Sequence, residues 1–294
     1  MTIQGKAYAY ALTAVLLWST VATAFKIALT DLSFIQLLWL SSLCATLFLF
    51  VVIVLSKRLS ELRLLCWKDW RYTLLTGLMN PFLYYLLLFR AYELLPAQEA
   101  LALNYSWVIM VVVFSILFLR QKIGIAGLAG IFIGFAGLLV IATKGALLSF
   151  KFEEPTGTLL ALSSSIVWAA FWILNLKDYR DDIIKLFFSF IVGFIFITII
   201  ALFRGEDIIP TSATGLLSAI YIGLFEMGVT FVIWLRALKL STNTAKVSIL
   251  IFLSPFISLN LINIVLGEKI LLSTVIGITM IVGGILIQKT AKVN

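Results

Sequence analysis

The sequence predicts an all-α, polytopic membrane protein with ten transmembrane helices arranged as two inverted five-helix repeats. Three observations carry that expectation. The 294 residues are 62% hydrophobic and only 12% charged, with a mean hydropathy of +1.13, whereas a soluble domain carries about 25% charged residues. Ten apolar stretches recur along the chain, each near the roughly 20 residues that cross about 30 Å of hydrocarbon. The two halves also align with one another, weakly at each residue but in the same order throughout.

The apolar stretches are residues 7–28, 34–55, 72–90, 97–118, 124–143, 156–175, 183–203, 213–236, 243–264 and 270–288. Short charged or turn-like pieces separate them, such as "SKRLSELRLLCWKDWR" and "NLKDYRDDIIK", and none is long enough for an extramembrane domain. The first stretch is too long for the apolar region of a signal peptide, and a second span follows it at once. Runs such as "VIMVVVFSILFL" are continuous rather than alternating, which excludes the strands of an outer-membrane barrel.

Lysine and arginine set the orientation. With the N-terminus in the cytoplasm, 16 of the 22 basic residues fall in cytoplasmic pieces, including Arg58, Arg71, Lys122, Lys177, Arg236, Lys246 and Lys292. The outer pieces carry Lys26, Arg90, Lys144, Lys151, Arg204 and Lys269. Both termini are therefore expected in the cytoplasm, and the net charge of +8 reads as topology. The basic residues are too dispersed for a nucleic-acid surface. Cys44 in a span and Cys66 in a loop do not look like a disulfide pair, and the absence of histidine removes the usual zinc and imidazole chemistry.

The repeat changes the reading most. "GLMNPFLYYLLLFRAYEL" (77–94) aligns without gaps to "GLFEMGVTFVIWLRALKL" (223–240), with identities at Gly77/Gly223, Arg90/Arg236 and Ala91/Ala237. Trp18 pairs with Trp168, Lys26 with Lys177, Gln121-Lys122 with Glu268-Lys269, and Gly130 and Gly137 with Gly277 and Gly284. The halves are residues 1–150 and 151–294. Because each has five spans, the second enters the membrane from the opposite side, an architecture that secondary transporters use with their site near the midplane.

Glu226, within "GLFEMG", lies ten residues before Arg236, and its counterpart Asn80 lies ten before Arg90. At about 1.5 Å per residue, each sits about 15 Å from its end of the membrane, so an acid and an amide meet at the midplane. Tyr84 and Thr230, four residues on, extend each polar face by one turn. A midplane acid costs about 3 kcal/mol on insertion scales and must face the bundle or a wet cavity. It is either functional or a protonated group that hydrogen-bonds neighbouring helices together. The other acids fall in loops or near span ends.

Asn104 and Trp107 share a face of the fourth span and suit either a cavity or structural hydrogen bonding. Trp18 and Trp168 suit packing or a cavity. Pro81 and Pro255 suit simple kinks or loosened helices with a freed carbonyl. Lys246, at the start of the ninth span, is expected to snorkel to the cytoplasm. Gly124, Gly127, Gly130, Gly134, Gly137, Gly277, Gly283 and Gly284 mark the fifth and tenth helices as close-packing scaffold.

The two five-helix repeats with "W" in the first helix of each, "FRAYELLPAQEAL" entering the fourth helix, "LSPF" in the ninth and the closing "LGEKILLSTVIGITMIVGGILI" resemble the EamA family of the drug/metabolite transporter superfamily. The resemblance covers nearly the whole chain. The first half departs from it, with Arg120-Gln121 where the family often has Gly-Glu. The resemblance implies a transporter, commonly an exporter of amino acids, their derivatives or other small metabolites. It also implies a cavity among helices 1, 3, 4, 6, 8 and 9, where Glu226, Asn80, Tyr84, Asn104, Trp18 and Trp168 fall.

Competing classes fare worse. Every aspartate is in a loop, and neither HExxH nor G-x-S-x-G occurs, so an intramembrane enzyme is not expected. A non-transporting scaffold or receptor, the main alternative, gives no reason for polar groups meeting at the midplane. A channel needs a continuous polar lining, which one Glu and one Asn do not supply. The expected protein is an inner-membrane secondary carrier, an exporter with no cofactor and no nucleotide-binding loop. Its substrate is a small metabolite with an amine matched to Glu226 and an apolar part suited to the Trp and Tyr residues. Its other partners are the lipid bilayer and, as coupling ion, the proton.

Overall fold

The computed structural model describes residues 2–63, 67–120, 124–146, 154–210, 212–241, 247 and 249–290. Cys66, Gln121, Lys122, Lys151, Glu153, Lys246 and Lys292 lie outside the described residues. The chain is helical, with no strand among the described residues. Among the described residues, eight helices are long and apolar enough to cross a membrane: α1 (Ile3–Asp31), α2 (Phe34–Leu55), α3 (Asp69–Leu94), α4 (Ala97–Phe118), α5 (Ile125–Ala142), α6 (Pro155–Lys177), α7 (Asp182–Phe203) and α8 (Ala213–Leu240). Two shorter apolar helices, α9 (Leu250–Leu266) and α10 (Leu272–Ile287), bring the bundle to ten.

Local chemistry fixes the helix ends. Ser33, Asp181 and Ser212 each accept a backbone N–H from the first turn of α2, α7 and α8, which satisfies donors a helix start leaves open. Pro155 opens α6, where a missing N–H costs nothing. Gly267, at φ +69°, closes α9 in the left-handed conformation that glycine adopts without strain.

Packing follows the repeat. α1 lies against the second half of α8, and α6 against the second half of α3. α2 lies against the first half of α8, and α7 against the first half of α3. α1 packs on α9 as α6 packs on α4, and α5 packs along α10. Each contact therefore has a counterpart in which the two halves exchange roles, the pattern an inverted repeat dictates.

Glycines make the tightest crossings. A Cβ at Gly137 would sit 2.6 Å from the Gly277 carbonyl oxygen, and one at Gly284 would strike the Gly130 carbonyl. The α5–α10 backbones thus touch through Gly130, Gly137, Gly277 and Gly284, whereas Gly283 has nothing within 4 Å of its added Cβ. The paired glycines Gly77 and Gly223 do the same work in α3 and α8: their Cβ atoms would meet the carbonyls of Ser189 in α7 and Ser41 in α2, at 2.6 and 2.5 Å.

Ion pairs tie the helix ends together. On the face that bears the N-terminus, Arg58 after α2 bonds Glu61 and reaches Asp181 at 3.0 Å, while Lys239 of α8 lies 3.4 Å from Asp182. Arg180 is held by Asp178 and donates to Thr73 of α3. On the opposite face, Glu268 accepts the Ala97 and Gln98 N–H groups at 2.8 and 3.2 Å and so caps α4. Glu99 lies in the first turn of α4 and pairs with Lys144 at 2.9 Å. Lys26, read from sequence as an outer piece, lies inside α1, half-buried.

Candidate functional site

The site is built on two broken helices. In α3 the regular turns give way over Leu78–Leu83 to a wider turn, and Asn80 takes a non-helical conformation at φ −142° and ψ 122°. Pro81, which can donate no N–H, sits in this turn. In α8 the first segment stops at Phe225 and a second starts at Val229. Gly228 between them has φ −113° and ψ −88°, and a Cβ there would lie 2.8 Å from Phe48 of α2. Thr230 returns its hydroxyl to the Phe225 carbonyl that the break releases. The two interruptions fall at the same place in the repeat, Asn80 against Glu226.

Between the halves lies a cavity of about 370 Å³, lined from α1, α3, α4, α6, α8, α9 and α10. Trp18, Tyr84, Asn104, Trp168 and Glu226 all line it. Asn80 and Thr230 do not; both are fully buried in the packing around the breaks. Glu226 is 8% exposed, and its Oε1 accepts the Tyr85 hydroxyl at 3.0 Å. Its Oε2 has no hydrogen-bond partner among the described residues. The Glu226 backbone carbonyl accepts the Trp18 indole N–H at 3.4 Å.

The remaining lining is aromatic and aliphatic, with Ser254. Tyr84 stacks on Trp168 with centroids 4.4 Å apart, and its hydroxyl donates to Asn104 Oδ1 at 3.3 Å. Asn104 in turn donates to Ser164 at 2.9 Å. Trp18 and Trp168, the two repeat-related tryptophans, approach Phe231 edge-on at 5.8 and 5.9 Å from either side. Trp234, Trp107, Tyr105 and Trp172 complete the aromatic wall, and the Trp172 indole N–H has no partner among the described residues. Chemically, the wall holds one unpartnered carboxylate oxygen and one unpartnered N–H donor among the described residues, both covered by neighbouring atoms, beside several ring faces. A ring face attracts a cation by about 0.5–2 kcal/mol.

Sequence reasoning missed Tyr85, the residue that holds the carboxylate. "NPFLYY" places both tyrosines near Asn80, but counting four residues at a regular helical pitch selects Tyr84. Phe231 and Trp234, also missed, adjoin Glu226 in the aromatic-rich "VTFVIWL". The small residues of "LSSSIVW" were passed over as well, although Ser164 fixes Asn104 and Ser165 accepts the Ser106 hydroxyl at 2.9 Å.

The duplicated bundle agrees with what comparison with known proteins finds. The EamA-like transporter family matches residues 5–143 and again 155–288. An uncharacterized transporter, YvbV, of Bacillus subtilis is 28% identical over 82% of this chain and 78% of its own length. The aromatic amino acid exporter YddG of Ancylobacter novellus is 26% identical over 57% of each chain. A solved crystal structure superimposes with a TM-score of 0.67 at 21% identity, over 96% of both chains, and shares the fold. The chain belongs to the EamA-like transporter family.

Proposed function

We propose that the chain is a secondary carrier that exports a small amine-bearing metabolite, by alternating access between its halves, residues 1–150 and 151–294. The observation that carries this reading is the Glu226 carboxylate, with one oxygen unpartnered among the described residues, in the wall of a cavity otherwise lined chiefly by aromatic and aliphatic side chains. A buried acid in a membrane bundle is costly and is retained where it pairs with a partner or marks a pathway. A cationic amine satisfies it, and the rings of Trp18, Trp168, Tyr84 and Phe231 suit an aromatic or aliphatic body. The relative named as an aromatic amino acid exporter supports a cargo of that kind.

Asn104 and Trp172 supply polar contacts for the rest of the substrate, and Asn80 and Thr230 support the two breaks. Between substrates Glu226 takes a proton, so proton and amine alternate on one carboxylate. Both termini lie in the cytoplasm, as the 16-to-6 division of basic residues requires.

The test is counterflow in proteoliposomes preloaded with single compounds. Aromatic amines and aromatic amino acids should exchange saturably and compete with one another. Exchange of organic anions with no response to amines would refute the cationic reading.

A further inference from the structure

The cavity is not open alike at its two ends. Toward the face opposite the N-terminus it is bounded by Phe25 and Tyr92, each 2% exposed. Toward the N-terminal face it is bounded by Leu176 and Leu238, and Leu176 is 67% exposed. Tyr92 and Leu238 are repeat-related, 146 positions apart, so the same place in each half bounds one end of the cavity, buried in the first half and part-exposed in the second.

Lys26 secures the closed end. Its ammonium leaves α1 and donates to the carbonyls of Tyr92 and Leu95, both at 2.8 Å, at the C-terminus of α3. A cation is favoured there, because the last carbonyls of a helix are open and carry its negative dipole end. Gln98 and Glu268 bond across the same corner, from α4 to the loop before α10.

The counterpart of Lys26 in the second half is Lys177, in the last turn of α6, nine residues after Trp168 where Lys26 is eight after Trp18. It is exposed and makes no hydrogen bond or ion pair among the described residues. By the register of the repeat, the carbonyls equivalent to Tyr92 and Leu95 are those of Leu238 and Ser241, at the C-terminus of α8. A small crevice lined by Trp172 and Asn175 of α6, Asp182 and Lys185 of α7 and Phe231 and Leu235 of α8 lies where these three helices meet.

We propose that Lys26 and Lys177 are alternating latches of the transport cycle. Lys26 holds the far end shut in the conformation described here. When the N-terminal end closes, Lys177 takes the Leu238 and Ser241 carbonyls as Lys26 lets go. Each ammonium binds one conformation and not the other, so each shifts the balance toward the state it seals. This rests on the alternating-access reading but not on the identity of the cargo.

The experiment uses the full chain with Cys44 and Cys66 replaced by alanine and a probe cysteine, L101C, one turn into α4 on the cavity wall. A membrane-impermeant thiol reagent is added from either face of oriented vesicles, without substrate. K26M should raise the labelling rate from the face opposite the N-terminus by roughly tenfold, the scale of a lost hydrogen bond to a charged group. K177M should lower it, the double variant should return toward the parent, and K26R should keep the seal. L101C reached from both faces but indifferent to K26M and K177M overturns the latch alone. L101C reached from neither face in any background overturns the carrier reading itself.

Discussion

Gly277→Ala adds one methyl group where α5 and α10 cross. That Cβ would lie 2.6 Å from the Gly137 carbonyl oxygen, and ordinary contact begins at 3.4 Å, so the backbones must part by about 0.8 Å. The Ile141 side chain lies nearer still and can shift, but the carbonyl is main chain on a rigid helix and cannot swing aside; overpacking of this kind costs about 1–3 kcal/mol. Gly283→Ala, on the same helix, meets nothing within 4 Å and should gain up to about 1 kcal/mol from helix propensity. The two single methyl groups should therefore differ by about 2–4 kcal/mol. At roughly 2–4 °C per kcal/mol, the scale for chains of 150–250 residues, they should melt about 4–16 °C apart. The assay is thermal unfolding of purified protein in one detergent, followed by the loss of the monodisperse peak in size-exclusion chromatography. A Gly277→Ala protein that melts with the parent, or a Gly283→Ala protein that melts below it, would refute the glycine-crossing account of the scaffold.

Three further outcomes are expected. Burial works to raise the Asp181 carboxyl, but the Arg58 hydrogen bond, the Ile183 N–H and the charges of Arg58 and Lys239 outweigh it and hold the group below the usual carboxylate range. A carboxyl depressed in the folded state stabilises fully above its unfolded value of about 3.9 and loses that contribution as pH falls through the folded one. Asp181→Asn should thus cost at most about 1 kcal/mol at pH 7 and flatten the loss of stability below about pH 4, read from melting curves across pH. A cysteine at Tyr84, on the cavity wall, should react with small water-soluble thiol reagents and be protected by substrate, whereas one at Asn80 should not react; equal labelling would misplace the cavity. A reporter fused after Asn294 should lie in the cytoplasm and one inserted after Gly205 outside; the reverse would overturn the topology.

What the sequence discloses depends on whether it acts through length, composition or local geometry. The spans were legible because an apolar run must cover the hydrocarbon, and α2 and α7 fall within a residue of the expected stretches. The glycine crossings were legible because only glycine lets two backbones touch, although Gly283 shows that glycine spacing alone overcounts. The breaks obeyed no such rule. Pro81 announced a loosened turn in α3, but no proline stands in "GLFEMG", and α8 breaks between Phe225 and Val229, where Gly228 leaves no room for a Cβ beside Phe48 of α2. The wide turn at Leu78–Leu83 then resets the phase of α3, so Asn80 and Tyr84 do not share a face and Tyr85 reaches Glu226 instead. Thr230 likewise turned from cavity to backbone because the break freed a carbonyl for it. Trp18 and Trp168 were findable because they repeat. Phe231, between them, has Tyr85 as its equivalent in the gapless alignment, so shared identity alone could not flag it.

The most direct test of the account is Glu226→Gln in proteoliposomes, with an aromatic amine as cargo and a pH gradient as the driving force. Glutamine keeps the size and still accepts the Tyr85 hydroxyl, but it carries no charge and takes up no proton. The protein should insert and fold, since a neutral group at that depth relieves a cost of about 3 kcal/mol. Gradient-driven flux should collapse, and amine binding should weaken by an order of magnitude or more, the scale of a lost hydrogen bond to a charged group. Transport at the parent rate with the parent pH dependence would show that Glu226 merely bonds helices together, contradicting the role given to it here.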